Sequence, residues 1–236
     1  MIKKIPVTAI IVFYIIAVSL RYVTEYTFLA SHLGNKYYKI LTGIGPAIGA
    51  IVASKLFGFK IPLTLKGNFK ILLIPFSIYW LLPILLISVY SYITTNDFSI
   101  ILCLTILVYG LFEEIGWRGF LQPALKPLPK FVGILVLTIL WYVWHLNFGL
   151  DSSHFIFFGI LLLGSWGIGL VANKTNSLLA VASFHSLNNF YPELDIEKAI
   201  ILIILITIWI TTVIYFKTSD EKTSANINIA NSGAAH

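Results

Sequence analysis

Charge is scarce in this chain. Only 11% of its 236 residues are Asp, Glu, Lys or Arg, against about 25% in an average soluble domain. That is too little to coat a water-soluble globule, so a soluble enzyme is excluded. A hydrophobic share of 58% and a mean hydropathy of +0.90 exclude a disordered or fibrous chain as well. Cysteine is nearly absent: Cys103 stands alone, which excludes an internal disulfide and any multi-cysteine metal site. There is no His-Glu-x-x-His and no Gly-x-Ser-x-Gly, so zincin-type and serine-type proteolysis have no support. No internal repeat is visible.

What is present is a series of apolar runs, each long enough to cross a hydrocarbon core of about 30 Å as helix. Eight are read, at 5–20, 40–57, 71–93, 98–125, 131–150, 155–172, 177–190 and 199–216. An even number puts both termini on one side. That side carries Lys3, Lys4, Lys55, Lys60, Lys66, Lys70, Lys126, Lys130, Lys174, Lys217 and Lys222. The other carries Arg21, Lys36, Lys39 and Lys198 against Glu25, Asp97, Asp151, Glu193, Asp195 and Glu197. Lysine and arginine gather on the cytoplasmic side of membrane proteins, so both termini are expected in the cytoplasm. The net charge of +6 is thereby explained without nucleic acid. The first run is read as a retained span, not a cleaved leader. The small-residue stretches Gly45 to Gly49 and Gly159 to Gly169 predict close helix packing. Pro75 and Pro83 predict a kink in the third span.

The chemical signal is charge and imidazole inside apolar spans, where such groups are costly and face the bundle interior. In the fourth span stand Glu113, Glu114 and Arg118. Glu114 and Arg118 are four apart on a helix with the acid first, the favourable order for an ion pair. Glu113 is left without its own counter-ion and suits a general acid or base. In the fifth span stand Trp141 and His145, and in the seventh His185 and Asn189. Measured at about 1.5 Å per residue from the cytoplasmic ends of their spans, His185, Glu113 and His145 lie about 15, 18 and 21 Å deep. One layer near the bilayer middle can hold them all, and a convergent site explains this better than scattered packing polars.

In order, these residues read Glu113-Glu114-x-x-x-Arg118, Trp141-x-x-x-His145 and His185-x-x-x-Asn189. The set resembles the CAAX protease and bacteriocin-processing family, also called type II CAAX prenyl endopeptidase-like or Abi proteins, over roughly residues 71–190. The one departure is Trp141, where the family usually has Phe. The resemblance implies an eight-helix bundle whose polar cavity opens toward the cytoplasm and laterally to lipid. It implies peptide-bond hydrolysis as well: eukaryotic members remove the last three residues of prenylated CAAX proteins. Bacterial members are linked to bacteriocin processing, self-immunity and peptide signalling.

The expectation is therefore an all-α polytopic membrane protein, a bundle of about eight transmembrane helices in a prokaryotic cell membrane. One domain spans 1–216, its motifs lie within 98–190, and 217–236 is a disordered polar tail. The expected activity is intramembrane endopeptidase action on a membrane-associated peptide or protein, with Glu113 activating water beside His145 and with His185 and Asn189 stabilising the oxyanion. Glu114, Arg118 and Trp141 support the site or contact substrate. No cofactor is favoured, in line with the glutamate catalysis that the resemblance implies. A zinc ion on Glu113, His145 and His185 is the metal-dependent alternative. A non-catalytic scaffold or immunity protein holding a partner helix, and a proton-coupled transporter, are the rival readings.

Overall fold

A computed structural model describes residues 4–27, 35–68, 72–73, 76–95 and 100–189, with five single positions beyond 199. The chain divides into two compact units, Met1–Phe190 and Tyr191–His236. The expected boundary at 216, the tail after it and Pro75 all lie outside the described residues, as does the eighth span except for those five positions.

The first unit is helical. Helix α1 is Val7–Tyr26 and α2 is Asn35–Phe57. Helix α3 opens with a π turn, Ser77–Leu81, and continues as Leu82–Thr95. Helix α4 runs Ile100–Glu114, passes through a longer π turn, Ile115–Leu121, and closes with Gln122–Ala124. Helices α5, α6 and α7 are Lys130–Trp144, Ser152–Thr175 and Leu178–Asn189. The described residues thus form seven helices in place of the eight expected. Among the described residues, three segments are long and apolar enough to cross a membrane by themselves: Val7–Tyr26, Ile40–Phe57 and Ser152–Thr175. The described residues form only helices and their connections, as in a helical membrane protein.

Local chemistry sets the ends that matter. Helix α5 stops at Trp144, short of the expected 150, because His145 caps it and Leu146 takes a left-handed φ of 54°. Asp151 then caps α6, accepting from the amides of Ser153 and His154. Donation from Ser153, and then from His154, holds its carboxyl below the usual carboxylate range. Ser177 accepts the Ala180 amide at 3.1 Å and so caps the start of α7. The incoming loop docks there too, with Leu178 N donating to Thr64 O at 2.9 Å. The first turn of α7 is thus fixed, and with it the register of His185 and Asn189.

Small residues let the helices touch. A Cβ on Gly49 would sit 2.5 Å from Phe13 O, and one on Gly116 would sit 2.4 Å from the Pro46 side chain. The stretch from Gly45 to Gly49 is therefore a packing face, as expected. A Cβ on Gly110 would lie 3.2 Å from Ala182 O and 3.5 Å from the His185 ring, so this glycine lets α7 and its histidine approach α4. Gly159 has nothing within 4 Å, so the second small-residue stretch packs only in its later part.

Candidate active site

The site is built on the π turn of α4. Glu113 and Glu114 end the regular helix, and Trp117 and Arg118 follow inside the wider turn. All four are fully buried. Turns of this kind inside α-helices often occur at functional sites. Here one turn places two acid–donor pairs side by side.

The inner pair is neutral against charged. Glu113 Oε2 accepts from Trp117 Nε1 at 3.2 Å and from Trp141 Nε1 at 2.8 Å. Its other oxygen, Oε1, has no hydrogen-bond partner. His185 Nε2 lies 3.9 Å from it, too far for a direct hydrogen bond.

The outer pair is ionic. Arg118 Nη1 donates to Glu114 Oε1 at 2.8 Å, the bond that the four-residue spacing predicts. Glu114 Oε1 also meets His185 Nδ1 at 2.7 Å, which the sequence did not suggest. A carboxylate only accepts, so Nδ1 carries the proton and Nε2 is turned toward Glu113. Arg118 in addition donates to Gly164 O at 3.3 Å and lies 4.6 Å over the Trp141 ring.

Trp141 joins the remaining parts. Its indole holds Glu113, and its carbonyl lies 2.8 Å from His145 Nδ1. That contact requires Nδ1–H as donor and leaves Nε2 of His145 as an acceptor. The Trp-x-x-x-His spacing has this cause: a side chain four residues on reaches back to the carbonyl before it. The Trp141 ring centroid is 5.4 Å from His185 and 6.0 Å from His145. The departure from Phe therefore has a chemical content, because a phenyl ring has no N–H to offer. Trp141→Phe keeps the packing but removes one donor to a charged group, worth about 1.5–3 kcal/mol. Turnover should fall about tenfold or more, with a lower melting temperature as well. Kinetics and thermal melting on the same preparation check this.

Residues 95–191 match the type II CAAX prenyl endopeptidase Rce1-like family. That family comprises membrane proteases acting on membrane-associated protein substrates. The match covers less than half of the chain but includes every motif residue from Glu113 to Asn189. No curated protein matches the chain.

Within the matched segment, Glu113, Glu114, Arg118, Trp141 and His185 form one connected network, and His145 joins it through Trp141. Asn189 is placed differently. It makes no hydrogen bond to the others; its buried Nδ2 has no partner, and it lines a cavity of about 230 Å³ with Arg21, Glu25, Tyr38, Thr42, Ile106 and Tyr109. Tyr109 interacts with both Glu113 and Arg21, through charge and through its hydroxyl, and so connects this cavity to the acid.

Three of these features were not read from the sequence. Trp117 follows Glu113 by four, as Arg118 follows Glu114, so its signal was present. Tyr109, one turn before Glu113, carried none. Arg21 and Glu25, which the run boundaries put in an outer loop, belong to α1 and pair at 2.8 Å.

Among the described residues, no three His, Cys, Asp or Glu side chains come together in a way that could hold a metal ion. His185 and His145 each place Nδ1 on a partner, Glu114 and the Trp141 carbonyl, and keep Nε2 for the site.

Proposed function

We propose that this protein is an intramembrane endopeptidase in which Glu113 activates water for attack on a peptide carbonyl. The observation that carries this reading is the asymmetry of one buried carboxylate. Two indole donors occupy Oε2, while Oε1 is left unpaired beside His185 Nε2. A carboxylate clamped on one oxygen has a single direction in which to take a proton.

Amide hydrolysis requires a base for the water, donors for the developing oxyanion and a proton for the leaving amine. Glu113 Oε1 takes a proton from water, and the water oxygen bonds to the carbonyl carbon. The carbonyl oxygen gains the charge and is met by a donor from Asn189 on α7 and by His185, which donates from Nε2 in its doubly protonated form while Nδ1–H stays on Glu114. Glu113 then passes its proton to the departing nitrogen as the C–N bond breaks, and the carboxylate is regenerated. His145, with Nε2 free to accept, orients the water from the far side of Trp141. Glu114, itself held by Arg118, keeps the Nδ1–H of His185 and aims Nε2 into the site. No step needs a metal. The scaffold reading gives the clamped carboxylate no task.

With the termini in the cytoplasm, as the lysine bias argues, the cavity lies toward the outer half of the bilayer. Its lining comes from the ends of α1 and α7 and the start of α2, opposite Lys55, Lys60 and Lys126. The resemblance implied a cytoplasmic opening; the charge pattern favours the other face.

The test uses protein reconstituted in liposomes with a chelator present. Peptides extracted from the membranes of the expressing cells serve as the substrate pool, and new termini are read by mass spectrometry. The wild type should generate a defined set of new termini, and His185→Ala should generate none of them. Identical sets from the two proteins would remove the proposal.

A further inference from the structure

We propose that Arg21 is a further catalytic residue, donating from Nε together with Asn189 Nδ2 to the oxygen of the substrate carbonyl. This deepens the peptidase reading above and rests on it. The observation is a coincidence of two orphans. Among the buried side-chain nitrogens without a hydrogen-bond partner are Arg21 Nε and Asn189 Nδ2, and both residues line the same cavity of about 230 Å³. Buried polar groups are nearly always satisfied. The Tyr109 hydroxyl lies beside Arg21 in that space, yet Nε and Nδ2 both keep a donor to offer. An acceptor that arrives from outside the chain can take both, and a peptide carbonyl is an acceptor of that kind.

Arg21 is held for the task. Its Nη2 pairs with Glu25 Oε1 at 2.8 Å, and Glu25 accepts from the Tyr38 hydroxyl on its other oxygen. Both carboxylate oxygens are thus engaged, and the acid serves to anchor the guanidinium. The opposite side is fixed by stacking: the Arg21 Cζ lies 4.7 Å from the Trp144 ring centroid, and Trp144 in turn donates to Ala17 O at 3.1 Å. Trp144 also meets the His145 ring at 5.0 Å. A planar group clamped on two sides presents Nε without reorganising, which is the condition for electrostatic stabilisation of a developing charge. Only the guanidinium supplies that N–H; a lysine keeps the charge and the Glu25 partner but has no donor at that place. Arg21 lies outside the segment that matches the family, so α1 contributes chemistry of this chain's own.

The experiment compares four proteins in liposomes on the same extracted membrane peptides: wild type, Glu113→Gln, Arg21→Lys, and the double variant Arg21→Gln with Glu25→Gln. The double variant removes donor and acid together, so no buried charge is stranded. The rate at which wild-type termini appear is measured per folded protein, over a range of peptide concentration. Arg21→Lys and the double variant should both lose about 10²-fold in maximal rate, as for loss of one oxyanion donor, with half-saturation little changed. A wild-type maximal rate in either overturns the proposal and leaves the Glu113 reading standing, provided Glu113→Gln is inactive. A loss of folded protein in both marks Arg21 as a strut and also overturns it. Wild-type activity in Glu113→Gln removes the parent reading and this inference with it.

Discussion

Replacing Glu113 by glutamine should abolish cleavage and leave a folded protein. Glutamine matches the carboxylate in shape, and its amide oxygen can still accept from the Trp117 and Trp141 indoles that now hold Oε2. What it cannot do is take a proton. General-base catalysis contributes about 10²–10⁴-fold, so turnover should drop by about 10³-fold or more with little change in melting temperature. Glu113→Ala should be inactive for the same reason but less stable. It strands two buried indole donors, each at a cost of about 1–3 kcal/mol. The contrast between the two variants separates chemistry from support: equal activity loss, unequal stability loss.

The second large effect belongs to Glu114, and it falls on folding first. Glu114→Ala leaves Arg118 charged, fully buried and without its 2.8 Å partner. Arg118 Nε has no hydrogen-bond partner even in the intact protein. Removing one member of a buried ion pair costs about 3–5 kcal/mol, a large part of the roughly 5–15 kcal/mol that holds a native protein together. Folded yield should fall sharply, as read by detergent gel filtration. Changing Arg118 to Met in the same protein should restore much of the yield, because no charge is then stranded. It should not restore activity, since His185 Nδ1 has lost the oxygen that sets its tautomer and aim. Recovery of both together would show that Glu114 serves only to neutralise Arg118.

Part of this site can be read without coordinates. Intramembrane charge is so costly that Glu113, Glu114 and Arg118 mark themselves, and a helix makes neighbours of residues four apart, so the Glu114–Arg118 pair follows. The meeting of α4 and α7 at one depth follows from counting along apolar spans, and His185 does meet both glutamates. Other features have no signature in residue type. The π turn over Ile115–Leu121 leaves the hydrophobic pattern intact. The end of α5 at Trp144 is set by a single left-handed residue, Leu146, inside what reads as a continuous apolar run. The indole N–H of Trp141 looks like bulk until its direction is known. Arg21 was misplaced for a different reason: a charge at the edge of an apolar run reads as the start of a loop, and only packing against Trp144 and Glu25 draws it inside.

The central claim is that a membrane-embedded carboxylate drives water onto a peptide bond, and isotope transfer tests it most directly. Wild-type and Glu113→Gln proteins are incubated side by side in chelated, ¹⁸O-enriched water with the extracted membrane peptides, and the mass of each newly formed carboxyl terminus is recorded. Heavy oxygen in the wild-type products, with no such products from Glu113→Gln, is the predicted result. Labelled products at equal rates from both proteins would contradict the account.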